Sequence, residues 1–138
     1  MIRHRALALS VLLSAAAVII GCGPRGPERV VVSGTVTYEG KAIADGRINF
    51  MPSEKSAVPM SGAVIKNGKY RVDAKGGVPV GTHKVEIEAY GGSPASGQIL
   101  KPGARPQYLP KKFNLDSKLE ITIEPGSGEL TKDFELTE

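Results

Sequence analysis

Thr82-His83-Lys84-Val85-Glu86-Ile87-Glu88-Ala89-Tyr90 is the stretch whose reading decides the fold. His83, Val85, Ile87 and Ala89 share one parity; Thr82, Lys84, Glu86 and Glu88 share the other. A period of two, with apolar and β-branched residues on one side, describes a strand with one buried face. Residues 118–124 repeat the pattern, with Leu119, Ile121 and Ile123 inward. Upstream, Val30, Val32, Val36 and Tyr38 alternate with Ser33, Thr35 and Thr37, and Ile48 and Phe50 alternate with Arg47 and Asn49. Two further runs, 61–66 and 69–73, flank Asn67-Gly68, a pair suited to a tight hairpin because both residues tolerate positive φ. A last run, 129–136, turns Leu130, Phe134 and Leu136 inward and carries Lys132 among them. No helical period follows residue 22. The expectation is an all-β domain over residues 30–138, seven strands arranged as a sandwich or a barrel.

The chain has 138 residues, with 18 Lys+Arg against 14 Asp+Glu. Its single cysteine excludes an intramolecular disulfide framework and a cysteine-rich zinc site. Two histidines are too few for a histidine-based metal centre, so neither metal nor cofactor is expected.

The first residues read as an address. Arg3, His4 and Arg5 precede an uncharged run from Ala6 to Ile20. That run matches the apolar region of a secretory signal peptide and falls short of the roughly 20 residues of a membrane span. Ile19-Ile20-Gly21-Cys22 resembles a bacterial lipobox, with Ile19 in place of the usual Leu and Ile20 bulkier than the usual small residue. The resemblance implies a signal peptide over 1–21, cleavage between Gly21 and Cys22, and acylation of Cys22, palmitate included. Residues 22–29 then form the lipidated cysteine and a Gly/Pro-rich tether. The product would be exported across the inner membrane and lipid-anchored in the cell envelope. Gly23, rather than Asp, follows the cysteine and favours the outer membrane. Loss of Arg3 and Arg5 leaves 16 basic against 14 acidic residues, a charge of +2. Nucleic acid is therefore excluded as a partner on charge and compartment.

Several strings in the domain also resemble a carboxypeptidase-regulatory-like, or transthyretin-like, domain. They are Val32-Ser33-Gly34-Thr35-Val36, Gly40-Lys41, Gly46-Arg47-Ile48-Asn49-Phe50, Asn67-Gly68-Lys69-Tyr70-Arg71-Val72 and Val80-Gly81-Thr82-His83-Lys84-Val85. Leu109-Pro110-Lys111-Lys112-Phe113-Asn114 and Asp133-Phe134-Glu135-Leu136 are similar to small lipoproteins of the planctomycete type. The resemblance implies a seven-stranded antiparallel, immunoglobulin-like β-sandwich serving as an accessory interaction or structural module. Asn67 stands where that family often has Asp, and His83 where it often has Tyr. A related purine-pathway hydrolase fold needs a C-terminal Tyr-Arg-Gly-Ser; here the chain reads Glu135-Leu136-Thr137-Glu138.

A catalytic site is not expected. His83 shares parity with Val85 and Ile87, as a core or rim histidine would. Glu86 and Glu88 alternate with Lys84, as on a solvated face. No Gly-x-Ser-x-Gly, EF-hand loop or phosphate-binding loop occurs. The segment 91–116 is long for a compact domain and carries Lys101, Arg105, Lys111 and Lys112 against Asp116 alone. With Tyr108 it is the candidate interaction loop for an envelope protein or an anionic glycan; the alternative is a solvated crossover. Tyr90 and Tyr108 are the rings that a glycan- or small-ligand-binding protein would expose.

Overall fold

A computed structural model describes residues 26–53, 58–91 and 102–138. The signal segment, Gly21, Cys22 and Lys101 lie outside the described residues. The fold is all-β and mostly antiparallel, with no α-helix among the described residues.

β1 (Arg29–Tyr38) organises the sheet. It buries Val30, Val32 and Val36. Three antiparallel segments pair with it in turn: β6 (Val78–Pro79), β5 (Lys69–Val72) and β2 (Lys41–Ala42). Its other side is taken by β9 (Glu129–Thr131) and β10 (Phe134–Leu136). With β1 these strands make one wing. The second wing is β4 (Ser61–Lys66), β3 (Asp45–Pro52), β7 (Gly81–Ala89) and β8 (Leu119–Ile123), each antiparallel to the next.

The two wings join at the 67–68 turn. Asn67 and Gly68 have φ of +50° and +74°, as a two-residue hairpin of this twist requires. The β4–β5 ladder has one rung, Lys66 opposite Lys69, before the strands diverge. The sheet therefore curls into a half-barrel around a single core. Phe50 from the second wing meets Tyr70 of the first at 6.3 Å between ring centroids, and Tyr70 meets Phe134 at 6.2 Å. Ile48, Ile65, Ile87 and Ile123 fill the space between. Burial of each such aliphatic chain contributes about 1.5–3 kcal/mol before entropy is counted.

The expected strand positions recur, with three corrections. First, the pairing is not antiparallel throughout: β9 and β10 run parallel to β1. Alternation places a side chain on a face but says nothing about strand direction. Direction follows from the preceding turn. Gly126 lies beside Glu28, whose carboxylate accepts its N–H, so the chain starts up next to the beginning of β1 and must run with it. Second, the final run is two strands. Its register against β1 is continuous, but Lys132 and Asp133 leave the ladder opposite Gly34 and Thr35. This break explains an outward Lys132 at an inward parity. Third, two short 3-10 turns, Ala74–Gly76 and Lys111–Phe113, stand where only loops were expected.

The break is held by three hydrogen bonds. The Lys132 N–H donates to the Ser33 carbonyl at 2.8 Å, and the Tyr70 hydroxyl donates to the Lys132 carbonyl at 2.6 Å. The Asp133 carboxylate accepts from the Thr35 N–H at 2.7 Å, replacing the missing backbone acceptor. The crossing is so close that a Cβ on Gly34 would sit 1.9 Å from the Lys132 carbonyl oxygen. Gly34→Ala is therefore expected to cost about 3 kcal/mol or more, because backbone rather than a pliable side chain must move. Denaturant unfolding checks this. A loss no larger than that of an exposed Gly40→Ala, whose Cβ meets nothing within 4 Å but whose φ is +73°, would show that the crossing is not tight.

Candidate functional site

The described part of the candidate loop is not a free basic arm. Tyr90 pairs with Gln107 in an antiparallel bridge, and the Tyr108 N–H donates to the Ala89 carbonyl at 3.1 Å. Residues 107–108 thus continue, beside β7, the lane that β8 occupies further along. Leu109 is fully buried and Phe113 nearly so. Phe113 lies edge-on to Tyr38 at 6.1 Å, and Tyr108 meets Tyr38 at 6.3 Å. The segment closes the core between the end of β1 and β7.

Buried polar groups in this segment are paired. The Gln107 side chain accepts from the Leu109 N–H and donates to the Leu109 carbonyl. Asn114 donates to the Pro110 carbonyl at 3.1 Å, and the Ser117 hydroxyl donates to the Val85 carbonyl. These bonds make the turn rigid, since each buried group left unpaired would cost about 1–3 kcal/mol.

Arg105 is likewise engaged. Its guanidinium sits 4.1 Å from the Tyr90 ring centroid and pairs with Asp45, which also binds Lys66 at 2.9 Å. The Lys66 hydrogen bond, followed by Arg105, holds the Asp45 carboxyl below its usual range. The Tyr90 hydroxyl donates to Glu88; burial first, and then Glu88, pushes its pKa up to about 12. Arg105 and Asp45 are 60 positions apart, and no spacing in the sequence announces their pairing.

The rings differ from expectation. Tyr90 and Tyr108 are half-buried rather than exposed, and one face of Tyr90 carries Arg105. That face of Tyr90 is therefore not open to a stacking ligand. Lys111 and Lys112 are exposed on the second 3-10 turn, and Lys112 Nζ lies 5.0 Å from the Phe113 ring centroid. The structure adds two residues that the sequence reading passed over. Leu115, 72% exposed, and Lys118 flank Asp116 on the same turn. A leucine inside the polar run Asn114-Leu115-Asp116-Ser117 was the available signal.

His83 is 1% exposed. Its Nε2 is 2.7 Å from the Pro79 carbonyl, which can only accept, so Nε2 carries the hydrogen. Nδ1 is buried without a partner. No nucleophile or carboxylate is bonded to the ring, and no group of three His, Cys, Asp or Glu side chains converges among the described residues. A shallow trough where the two wings adjoin is lined by Ser33 and Thr35 of β1, Val64 and Lys66 of β4, Lys69 and Arg71 of β5, and Asp133, among others. Its charges are largely committed: Lys66 to Asp45, Arg71 to Glu129 and Asp73, and Asp133 to the Thr35 N–H.

Two predictions follow from this geometry. Long-range 1H–15N NMR correlations will place the His83 hydrogen on Nε2; a hydrogen on Nδ1 alone would contradict the Pro79 bond. The second concerns acid. The Thr35 N–H holds the Asp133 carboxyl below its ordinary value, Arg71 does the same for Glu129, and Lys66 for Asp45. A depressed carboxyl stabilises the fold above its unfolded value and loses that contribution as pH falls through the folded one. The denaturation midpoint is expected to be flat above about pH 5 and to fall below about pH 4. Asp133→Asn should lower the midpoint near neutrality and flatten the acid limb. An unchanged acid limb in that variant would contradict the assignment.

No family model matches the chain, and no curated protein or solved structure matches it either.

Proposed function

We propose that this chain is a lipid-anchored, non-catalytic module of the bacterial cell envelope. In this reading residues 1–21 export it, Cys22 carries the acyl chains, and the β-domain acts by contact. Outer-membrane placement belongs to the same reading, from Gly23. We assign its fold to the sandwich of the carboxypeptidase-regulatory-like type. The two wings, which share a core and meet at the single Lys66–Lys69 rung, support that assignment.

The observation that carries the functional reading is the placement of the only cysteine. Cys22 ends an uncharged run and stands seven residues before Arg29, where β1 begins. A tether of that length spans at most about 25 Å, so an acylated Cys22 would keep the domain against its bilayer. Two or more acyl chains give stable attachment where one gives marginal binding. The charged and polar groups support a role without chemistry: the buried histidine bonds a backbone carbonyl, and at the surface Arg105, Asp45 and Glu88 hold the chain together.

Expression of the full chain in a bacterial host with an alkyne-labelled palmitate tests this. The wild type is expected to take up label and to sediment with membranes. Cys22→Ala is expected to lose the label, even though its uncleaved leader can still hold it at a membrane. An unlabelled wild type, or equal labelling of the variant, would contradict the anchored reading.

A further inference from the structure

We propose that the Lys111–Lys118 turn is a second membrane contact, which seats the domain edgewise on an anionic bilayer through Leu115. The occupant is the lipid surface itself. Leu115 is 72% exposed on a turn whose neighbours Phe113, Asn114 and Ser117 are buried. An apolar side chain held out rigidly from a packed base loses little conformational freedom on insertion. Lys111, Lys112 and Lys118, within four positions of it, are exposed, and none of the three is in an ion pair among the described residues. Lys112, Asp116, Lys118 and Leu119 rim a shallow pocket beside it. An exposed aliphatic residue with lysines on the same turn combines burial of apolar area with attraction to anionic head groups.

The position of the tether favours this occupant. Glu28 accepts from the Gly126 N–H, and its carbonyl accepts from the Val80 N–H at 2.9 Å. The chain therefore enters the domain at the far end of the β8 edge. The Leu115 turn lies before the near end of the same strand. β8 spans about 17 Å, so tether and turn can touch one surface together. Asp116, Glu120 and Glu124 lie along the same edge and oppose the attraction. The contact is accordingly weak and salt-sensitive, and becomes populated when an anchor raises its effective concentration. Both the anchor and the choice of a bilayer as occupant rest on the reading of Cys22 above.

The chain has no tryptophan and one cysteine, which makes the test specific. All strands lie within residues 29–136, so the Cys22–Glu138 protein retains the fold. Its Cys22 thiol is coupled to a maleimide lipid in vesicles of phosphatidylglycerol and phosphatidylcholine, or of phosphatidylcholine alone. Leu115→Trp supplies the reporter. Val64→Trp, at a 60% exposed position on β4 at the other margin of the second wing, is the control. The Leu115→Trp emission is expected to shift to shorter wavelength on the anionic vesicles only. Combined Lys111→Gln, Lys112→Gln and Lys118→Gln changes should abolish the shift, and Val64→Trp should not move. No shift at position 115, an equal shift at position 64, or a shift that survives removal of the lysines would overturn the proposal. Because the anchor is attached chemically, failure here is distinct from failure of palmitate labelling at Cys22.

Discussion

The rest of the structure depends on a backbone crossing. Lys132 passes over Gly34 at a distance that admits no side chain, and it is fixed there by the Ser33 carbonyl, the Tyr70 hydroxyl and the Asp133–Thr35 bond. β1 is thereby paired on both sides along most of its length. Tyr70 links the crossing to the core, since the same ring packs between Phe50 and Phe134. One glycine, one tyrosine and one aspartate thus couple the closing strands to both wings. A fault at Gly34 would be felt in the core.

The second closure is the segment 102–117. It seals the core on the β7 side with Leu109 and Phe113 and is fastened outside by Arg105 between Tyr90 and Asp45. A stretch with three prolines and two lysines therefore contributes Leu109 and Phe113 to the interior. The division of labour within it is physical. Residues that reach inward close the fold, while Lys111, Lys112 and Leu115 remain outward.

Much of the fold was legible because period-two alternation reports which face is buried. The parities read for 30–38, 82–90 and 118–124 match the buried sets Val30/Val32/Val36, His83/Val85/Ile87/Ala89 and Ile121/Ile123. Asn67-Gly68 forms the expected turn because its geometry is local. Strand direction was not legible, since it depends on Glu28 meeting Gly126 across nearly 100 residues. The break at Lys132–Asp133 left one local trace, a lysine at an inward parity. The candidate loop was legible in charge but not in burial: nothing adjacent in the sequence shows that Leu109 reaches the core, or that Asp45 takes Arg105. Leu115 was hidden for the opposite reason, because an apolar residue in a turn reads as core until its exposure is known.

The parallel closure of β1 is the claim on which this account turns, and cross-strand NOEs in a labelled sample of the Cys22–Glu138 protein measure it most directly. The account predicts contacts between Ser33 and Thr131, and between Val36 and Phe134, in one continuous parallel register. An antiparallel pattern between residues 129–136 and β1, or none at all, would contradict it.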